Sequence, residues 1–323
     1  MSISEVVTDF TLFNIRNYGA TGDGTTDDTN AIQSALNSRL PFIYIPNGVY
    51  IISRNLNILA NTIIIGDGKQ SIIKLIANAG NVHMFYAVGI ADVIIKNLQI
   101  DGNKDNQSNK SAHTTCIQFH RTDDVVLENL YITGSLIDGI YLYDSKDIMV
   151  RNIRSYNNGY SKQDASGLNI DHCIGGNVSD IITRSNGYHG LMVSSCKSIN
   201  FNNIYTHNNG FDGIRAQYSS DFNTFTNIQS YFNMRGIYFT TTSSKNTIAN
   251  SMFNENSGNG INLNQSKQNI FSNVHSDDNG EYGLLTVDGN DSLYAKGLFL
   301  LNNTLGKKSL VSGSKVLDLP SQI

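Results

Sequence analysis

Five side chains in the middle of this chain bring together the groups that proton-transfer chemistry needs. Asp171, His189, Asp212, Arg215 and Tyr238 supply a carboxylate or imidazole to take a proton, a guanidinium to neutralise an anion and a phenol to carry a proton. Gln118, His120, Tyr141, Tyr143, Lys162, Asn169 and Arg235 add aromatic faces and hydrogen-bonding tips suited to sugar rings. Proton removal beside a carboxylate, as in a uronic-acid chain, needs a cation on that carboxylate and a nearby base. Arg215, Arg235 or Lys162 can supply the charge, and His189 or Tyr238 can move the proton. Glycoside hydrolysis instead needs two carboxyls about 5–9.5 Å apart. Asp171 and Asp212 stand two repeats and five positions apart, about 19 Å between backbones, which is a poor pair. Asp164, on an inserted loop, keeps hydrolysis open by approaching Asp171.

A repeat places these residues side by side. Glycine followed by apolar, any, apolar, any recurs at Gly139, Gly167, Gly190, Gly213, Gly236 and Gly260, with a weaker copy at Gly283 and Cys116 in the equivalent earlier slot. The steps are 23, 28, 23, 23, 23, 24 and 23 residues. A second column, Asn129, Asn152, Asp180, Asn203, Asn227, Asn250 and Asn273, keeps the same rhythm, and Asn97 precedes it by 32. A third, four residues before the glycine, holds Asn186, Asn209, Asn256 and Asn279, with Phe232 as its break.

A unit this short cannot bury its apolar face alone. Stacking units in parallel closes a continuous core and sends Ile140, Leu142, Leu168, Ile170, Leu191 and Val193 inward. The expected fold is an all-β, right-handed, single-stranded parallel β-helix with a short N-terminal capping helix. Residues 1–50 form the cap, 51–300 the β-helix and 301–323 a C-terminal tail. The asparagine columns read as amide ladders that satisfy bend backbone groups. A leucine-rich repeat is excluded because its Leu-x-x-Leu-x-Leu frame is absent. The 32-residue step inserts approximately Asn103 to His113, and the 28-residue step inserts Tyr160 to Ala165. Both lengthen loops that enter the chemically rich strands, as walls of a groove would.

Composition agrees. Charged residues are 15% and hydrophobic ones 40%, with Gly at 28 and Pro at only 3; uncharged Asn, Ser and Thr carry the polarity. A net charge of −4 argues against nucleic acid or an anionic membrane as partner. The start shows no secretory signal, and no apolar run reaches membrane-spanning length. Three cysteines make no disulfide framework; Cys173 and Cys196 share one column on successive turns and read as a reduced stack. No spacing matches a zinc site, and no cofactor is implied; calcium on acidic outer residues is not indicated.

Thr26-Asp27-Asp28-Thr29 ahead of Ala31–Leu36 predicts a helix whose first-turn N–H groups meet acceptor side chains. The run Phe13-Asn14-Ile15-Arg16-Asn17-Tyr18-Gly19-Ala20-Thr21-Gly22-Asp23-Gly24-Thr25-Thr26-Asp27-Asp28, with that helix and Ile45-Pro46-Asn47-Gly48-Val49-Tyr50, resembles the start of the pectate-lyase-like superfamily. That superfamily includes mannuronan C5-epimerases, polygalacturonase-like hydrolases and phage tailspike depolymerases. Asn209-Gly210-Phe211-Asp212-Gly213 resembles a segment of the epimerases. Their catalytic Tyr-Gly-Phe-Asp-Pro-His run falls on Ser166 to Asp171, where Ser166, Asn169 and Asp171 replace the Tyr, Asp and His. The resemblance implies a polysaccharide-active enzyme whose groove runs from about Gln118 to Tyr238. Lyase- or epimerase-type C5 proton abstraction ranks ahead of hydrolysis. The reading from another class is a phage-tail or surface adhesin that binds glycan without cleaving it. The expected partner is a polysaccharide, the expected assembly a homotrimer, and the expected location extracellular or on a virion.

Overall fold

In the computed structural model, which describes residues 13–160, 165–289 and 291–318, the chain winds into a right-handed parallel β-solenoid of about 12 turns. Among the described residues the strands form a 15-stranded and an 11-stranded sheet, each built from every second strand in the repeat region, and all named pairings are parallel. The six apolar positions expected inward are all fully buried. Stacked rings such as Phe201 on Phe225, 4.8 Å apart, extend this core along the axis. The pairing takes in Asp23–Asp27 at one end and Gly306–Ser309 and Lys315–Asp318 at the other, so the stack reaches into both flanking segments.

Each long strand of the larger sheet is hinged at the first asparagine column. Asn97, Asn129, Asn152, Asp180, Asn203, Asn227, Asn250 and Asn273 all have φ between 50° and 59°. Asn and Asp tolerate this left-handed conformation better than other residues with a side chain, which explains their spacing. Along the column Asn152 donates to Asn129 at 2.6 Å and Asn129 to Asn97 at 3.0 Å.

The buried ladder is more complete than the sequence column suggests. Asn158, Asn186, Asn209, Asn233, Asn256 and Asn279 each donate their amide to the next, at 2.9–3.4 Å, and the ladder ends at Asn303. From Asn186 onward each Oδ1 also accepts the backbone N–H of the asparagine one turn earlier, as Asn209 does from Asn186, and Asn158 Oδ1 accepts that of Ser135. Asn233 thus fills the rung where Phe232 marked a break: two residues rather than three separate it from the following glycine, and Phe232, at φ 54°, holds the left-handed position that Ser185, Asn208 and Glu255 hold before their own rungs.

The capping helix spans Thr29–Asn37 and buries Ile32, Ala35 and Leu36 in the core. Its first N–H is met by Asp27, at 3.0 Å. Asp28, the residue at the cap position, turns back and accepts from Thr21 and Gly22 at 2.7 and 3.1 Å. Cys173 and Cys196 are buried and reduced.

Candidate functional site

The chemically rich residues lie on consecutive strands of the smaller sheet: Thr114–His120, Ile140–Tyr143, Ser166–Asp171, His189–Ser194, Asp212–Gln217 and Arg235–Phe239. Their register follows the repeat. Gln118, Tyr141, Asn169, Met192, Arg215 and Tyr238 are paired in one row, and His120, Tyr143, Asp171, Ser194 and Gln217 in another.

A third row comes from the residues before each glycine, whose direction alternation alone leaves open. A Cβ on Gly213 would meet Ser230 Oγ at 2.0 Å, and one on Gly190 would meet Thr206 Oγ1 at 2.1 Å. The glycine therefore turns its bare side to the crowded interior, and the residue before it joins the outward face. Asp138, Ser166, His189, Asp212 and Arg235 consequently stand beside the first row. Asn169 Nδ2 donates to Asp138 Oδ2 at 3.2 Å, and Arg235 packs over Tyr238 at 4.1 Å.

Two clusters result. The first is a chain of rings, each 5.3–6.3 Å from the next: His83, Tyr86, His120, Tyr141, Tyr143 and His172. Asp171 lies within it. The Tyr141 hydroxyl donates to Asp171 Oδ2 at 3.2 Å, and His172 Nδ1 is 2.7 Å from Oδ1. Burial, then the Asp171 charge, pushes the Tyr141 phenol well above its ordinary range, so it keeps its proton. Gln118 bonds His120 at 3.0 Å. Burial, then Arg121, lowers the His120 imidazole, while burial and two neighbouring histidines bring His83 to about 4.

The second cluster is ionic. Asp212 is fully buried and takes both ends of the Arg235 guanidinium, at 2.5 and 3.1 Å, with Arg215 at 3.8 Å. Burial pushes its carboxyl up, against the downward pull of Arg235 and Arg215. Arg235 also lies 4.5 Å from the Phe211 ring, which stacks on Tyr188 at 4.7 Å. Beneath them His189 is fully buried. Its Nδ1 lies 3.4 Å from Asp212 Oδ2, but neither ring nitrogen makes a hydrogen bond. Burial first, then Arg215 and Arg235, holds it well below its usual range, as a neutral ring. Arg215 donates to Gln217, and Gln217 to Ser194, carrying a polar line toward Asp171.

The structure thus brings Asp171, Tyr141, Tyr143, Gln118 and His120 together at the surface. It puts Arg215 two strands beyond Asp171 and Arg235 and Tyr238 three strands beyond it, and buries His189 and Asp212 beneath the arginines. His189 and Asp212 meet each other and the guanidinium groups, so their positions suit holding charge rather than touching a ligand. Lys162 and Asp164 lie outside the described residues. The first insertion meets the start of the second: Lys104 Nζ donates to the Gly159 carbonyl at 3.2 Å, and Lys110 packs on the Tyr160 ring at 5.2 Å. Sequence reasoning passed over His83, Tyr86 and His172. The first two precede the regular repeat, and His172 follows the end of its strand, at φ 55°. Among the described residues no three His, Cys, Asp or Glu side chains converge as metal ligands do.

The model of the family described as "Rhamnogalacturonase A/epimerase, pectate lyase-like" matches residues 12–238, and that of "Right handed beta helix region" matches residues 166–314. The pre-neck appendage protein of Bacillus phage phi29 is 26% identical over 190 residues, covering 49% of this chain and 22% of that protein. A mannuronan C5-epimerase of Azotobacter vinelandii is 28% identical over 200 residues, covering 55% of this chain and 20% of the other. The matches thus span only about a fifth of each relative's length. Among solved structures, the A-module of another A. vinelandii mannuronan C-5 epimerase superposes with a TM-score of 0.83 at 19% identity, over 94% of this chain and 99% of that one. With the family model covering most of its length, the chain belongs to the pectate lyase-like rhamnogalacturonase A/epimerase family, a polysaccharide-related family of right-handed β-helices.

Proposed function

We propose that the chain is a polysaccharide-active enzyme that cleaves a uronic-acid-containing glycan by abstracting the C5 proton. The observation that carries this reading is the Tyr141–Asp171 contact inside a row of sugar-sized aromatic faces. A uronate ring lying across Tyr141 and Tyr143 presents C5 to Asp171, which takes the proton. Arg215 stands about 10 Å along the stack at ordinary strand spacing, and neutralises the sugar carboxylate on which charge builds. Tyr141, kept protonated, gives its proton to the departing glycosidic oxygen; the C4–O bond breaks and a C4=C5 double bond forms. The proton on Asp171 then returns to the Tyr141 phenolate across their 3.2 Å contact and resets the pair. Base and acid touch each other, so they meet a bound ring from one side. Epimerisation needs a donor on the opposite face, and elimination is therefore the favoured outcome. The chain's likeness to a mannuronan C5-epimerase and to a phage pre-neck appendage protein supports a glycan as substrate and an extracellular or virion-associated setting.

A second reading has its own support. The charges of both Asp138 and Asp171 raise the Tyr141 phenol, which places two carboxyls near one ring-binding position, and hydrolysis uses a carboxyl pair. Incubation with a panel of uronans and capsular polysaccharides separates the readings. Ultraviolet absorbance of an unsaturated uronate, abolished by Asp171→Asn, is the expected result. New reducing ends without that absorbance would replace the lyase reading with hydrolysis, and binding without either product would make the chain an adhesin.

A further inference from the structure

A second polar-aromatic face lies around the asparagine-ladder bend from the site, on the C-terminal halves of the long strands. Tyr131, Arg154, Ile182 and Tyr205 share one paired row; Tyr156, Arg184, His207 and Tyr231 share the next. Lys69 arrives from the turn at Gly68–Gln70. Lys69, Tyr131, Arg154, Tyr156 and Arg184 together line a cavity of about 150 Å³.

The three cations of this cavity are exposed, and among the described residues none has an ion pair or hydrogen bond; their only recorded partners are rings. Lys69 and Arg154 lie 5.6 and 5.5 Å from the Tyr131 centroid, and Arg184 lies 4.9 Å from that of Tyr156. Arg151, on the same strand as Arg154, is instead neutralised by Glu128 at 3.0 Å. A guanidinium held against a ring keeps its in-plane N–H edge free, and that edge matches a carboxylate or phosphate. Three uncompensated positive charges on a chain of net charge −4 form a local anion trap. The volume is below the roughly 300 Å³ at which pockets for drug-sized ligands begin, so it suits one charged group and part of the ring that bears it.

We infer that this cavity is a second glycan-binding site, which takes an anionic sugar unit by pairing its charge with Lys69, Arg154 and Arg184 while the tyrosines border the ring. It does not depend on the chemistry assigned to Asp171. Its place on the neighbouring face lets it hold a stretch of chain that the first site is not working on.

The test is calorimetric titration of the full chain, carrying Asp171→Asn to prevent turnover, with oligogalacturonate, poly(glycerol phosphate) and a neutral maltooligosaccharide. The expected result is salt-sensitive binding of at least one anionic chain. The Arg154→Gln, Arg184→Gln double variant should weaken it by roughly tenfold or more, which is at least about 1.4 kcal/mol, with an unchanged melting temperature. Carboxylate and phosphate arms identify which anion is preferred. Equal binding of the neutral chain, no binding of either polyanion, or undiminished binding by a folded double variant would each overturn the inference. Failure of the lyase reading would appear separately, as absence of unsaturated product from the chain with Asp171 intact.

Discussion

At the residue scale the site divides into groups that can touch a ligand and groups that hold those in place. Asp171 and Tyr141 belong to the first kind. Asp171→Asn should lower turnover by about 10²–10⁴-fold, the usual contribution of a positioned acid or base, and Tyr141→Phe should lower it toward the bottom of that range, both with unaltered melting temperature. His189 belongs to the second kind, and its burial has a pH signature. Its folded-state value lies below its unfolded one, so as pH falls the unfolded chain takes up the proton first and stability is lost from about pH 6.5 downward. Asp212 has the opposite sign: its folded value is raised, so its contribution is present below the unfolded value and lost as pH rises through the folded one. His189→Leu should therefore flatten the fall of melting temperature between about pH 7 and pH 5, measured by calorimetry. A slope identical to that of the unaltered protein would show that the ring is not held neutral.

At the scale of the element, the ladder makes each turn depend on its neighbours through amides that have no water to turn to. Asn209 Nδ2 serves Asn233, Thr206 and the Thr183 carbonyl at once. Its Oδ1 serves both nitrogens of Asn186. Asn209→Ala should cost about 1–3 kcal/mol for each polar group left unpaired, read as a lowered denaturant midpoint. Gly213→Ala should also destabilise, because its Cβ would strike Ser230. The rows that carry the site were legible in the sequence because one side-chain alternation per strand fixes them: Asp171 pairs with Tyr143 and Ser194 as the spacing requires. The burial of His189 and Asp212 was not legible. The glycine after each breaks the alternation, and the cover is split: Tyr188, the preceding residue, lies on His189, while Phe211 on His189 and the Arg235 guanidinium on Asp212 come from the next turn. The Asn233 rung was hidden for a related reason, since a one-residue shift within a bend alters spacing without altering the stack.

For the whole molecule, stability is a sum over neighbouring turns, so the ends matter most. The helix Thr29–Asn37 lays Ile32, Ala35 and Leu36 over the first turns and shields an open apolar end. Ile32→Asp buries an unpaired carboxylate there; it should lower the melting temperature and produce concentration-dependent association by light scattering. An unchanged sedimentation profile would show that the end needs no cover. The solenoid and its cap were readable from composition, period and the Thr26–Thr29 start, because each follows from local pattern. The cationic cavity on the other face was not, because Lys69 reaches it from outside the regular repeat.

The same ladder also governs how the molecule ages. Asn158, Asn186, Asn209 and Asn279 are each followed by glycine, the neighbour that most readily lets a backbone nitrogen attack the side-chain amide and convert it to aspartate. In the folded chain each of those glycine nitrogens is instead committed to a carbonyl of an earlier turn: Gly159 to Ser135, Gly187 to Asn158, Gly210 to Asn186 and Gly280 to Asn256. The amides they would attack are fixed in the ladder. Deamidation at these sites is thus silent while the solenoid is wound and begins when it opens, so a mass spectrum of stored protein becomes a cumulative record of how often each turn has come apart.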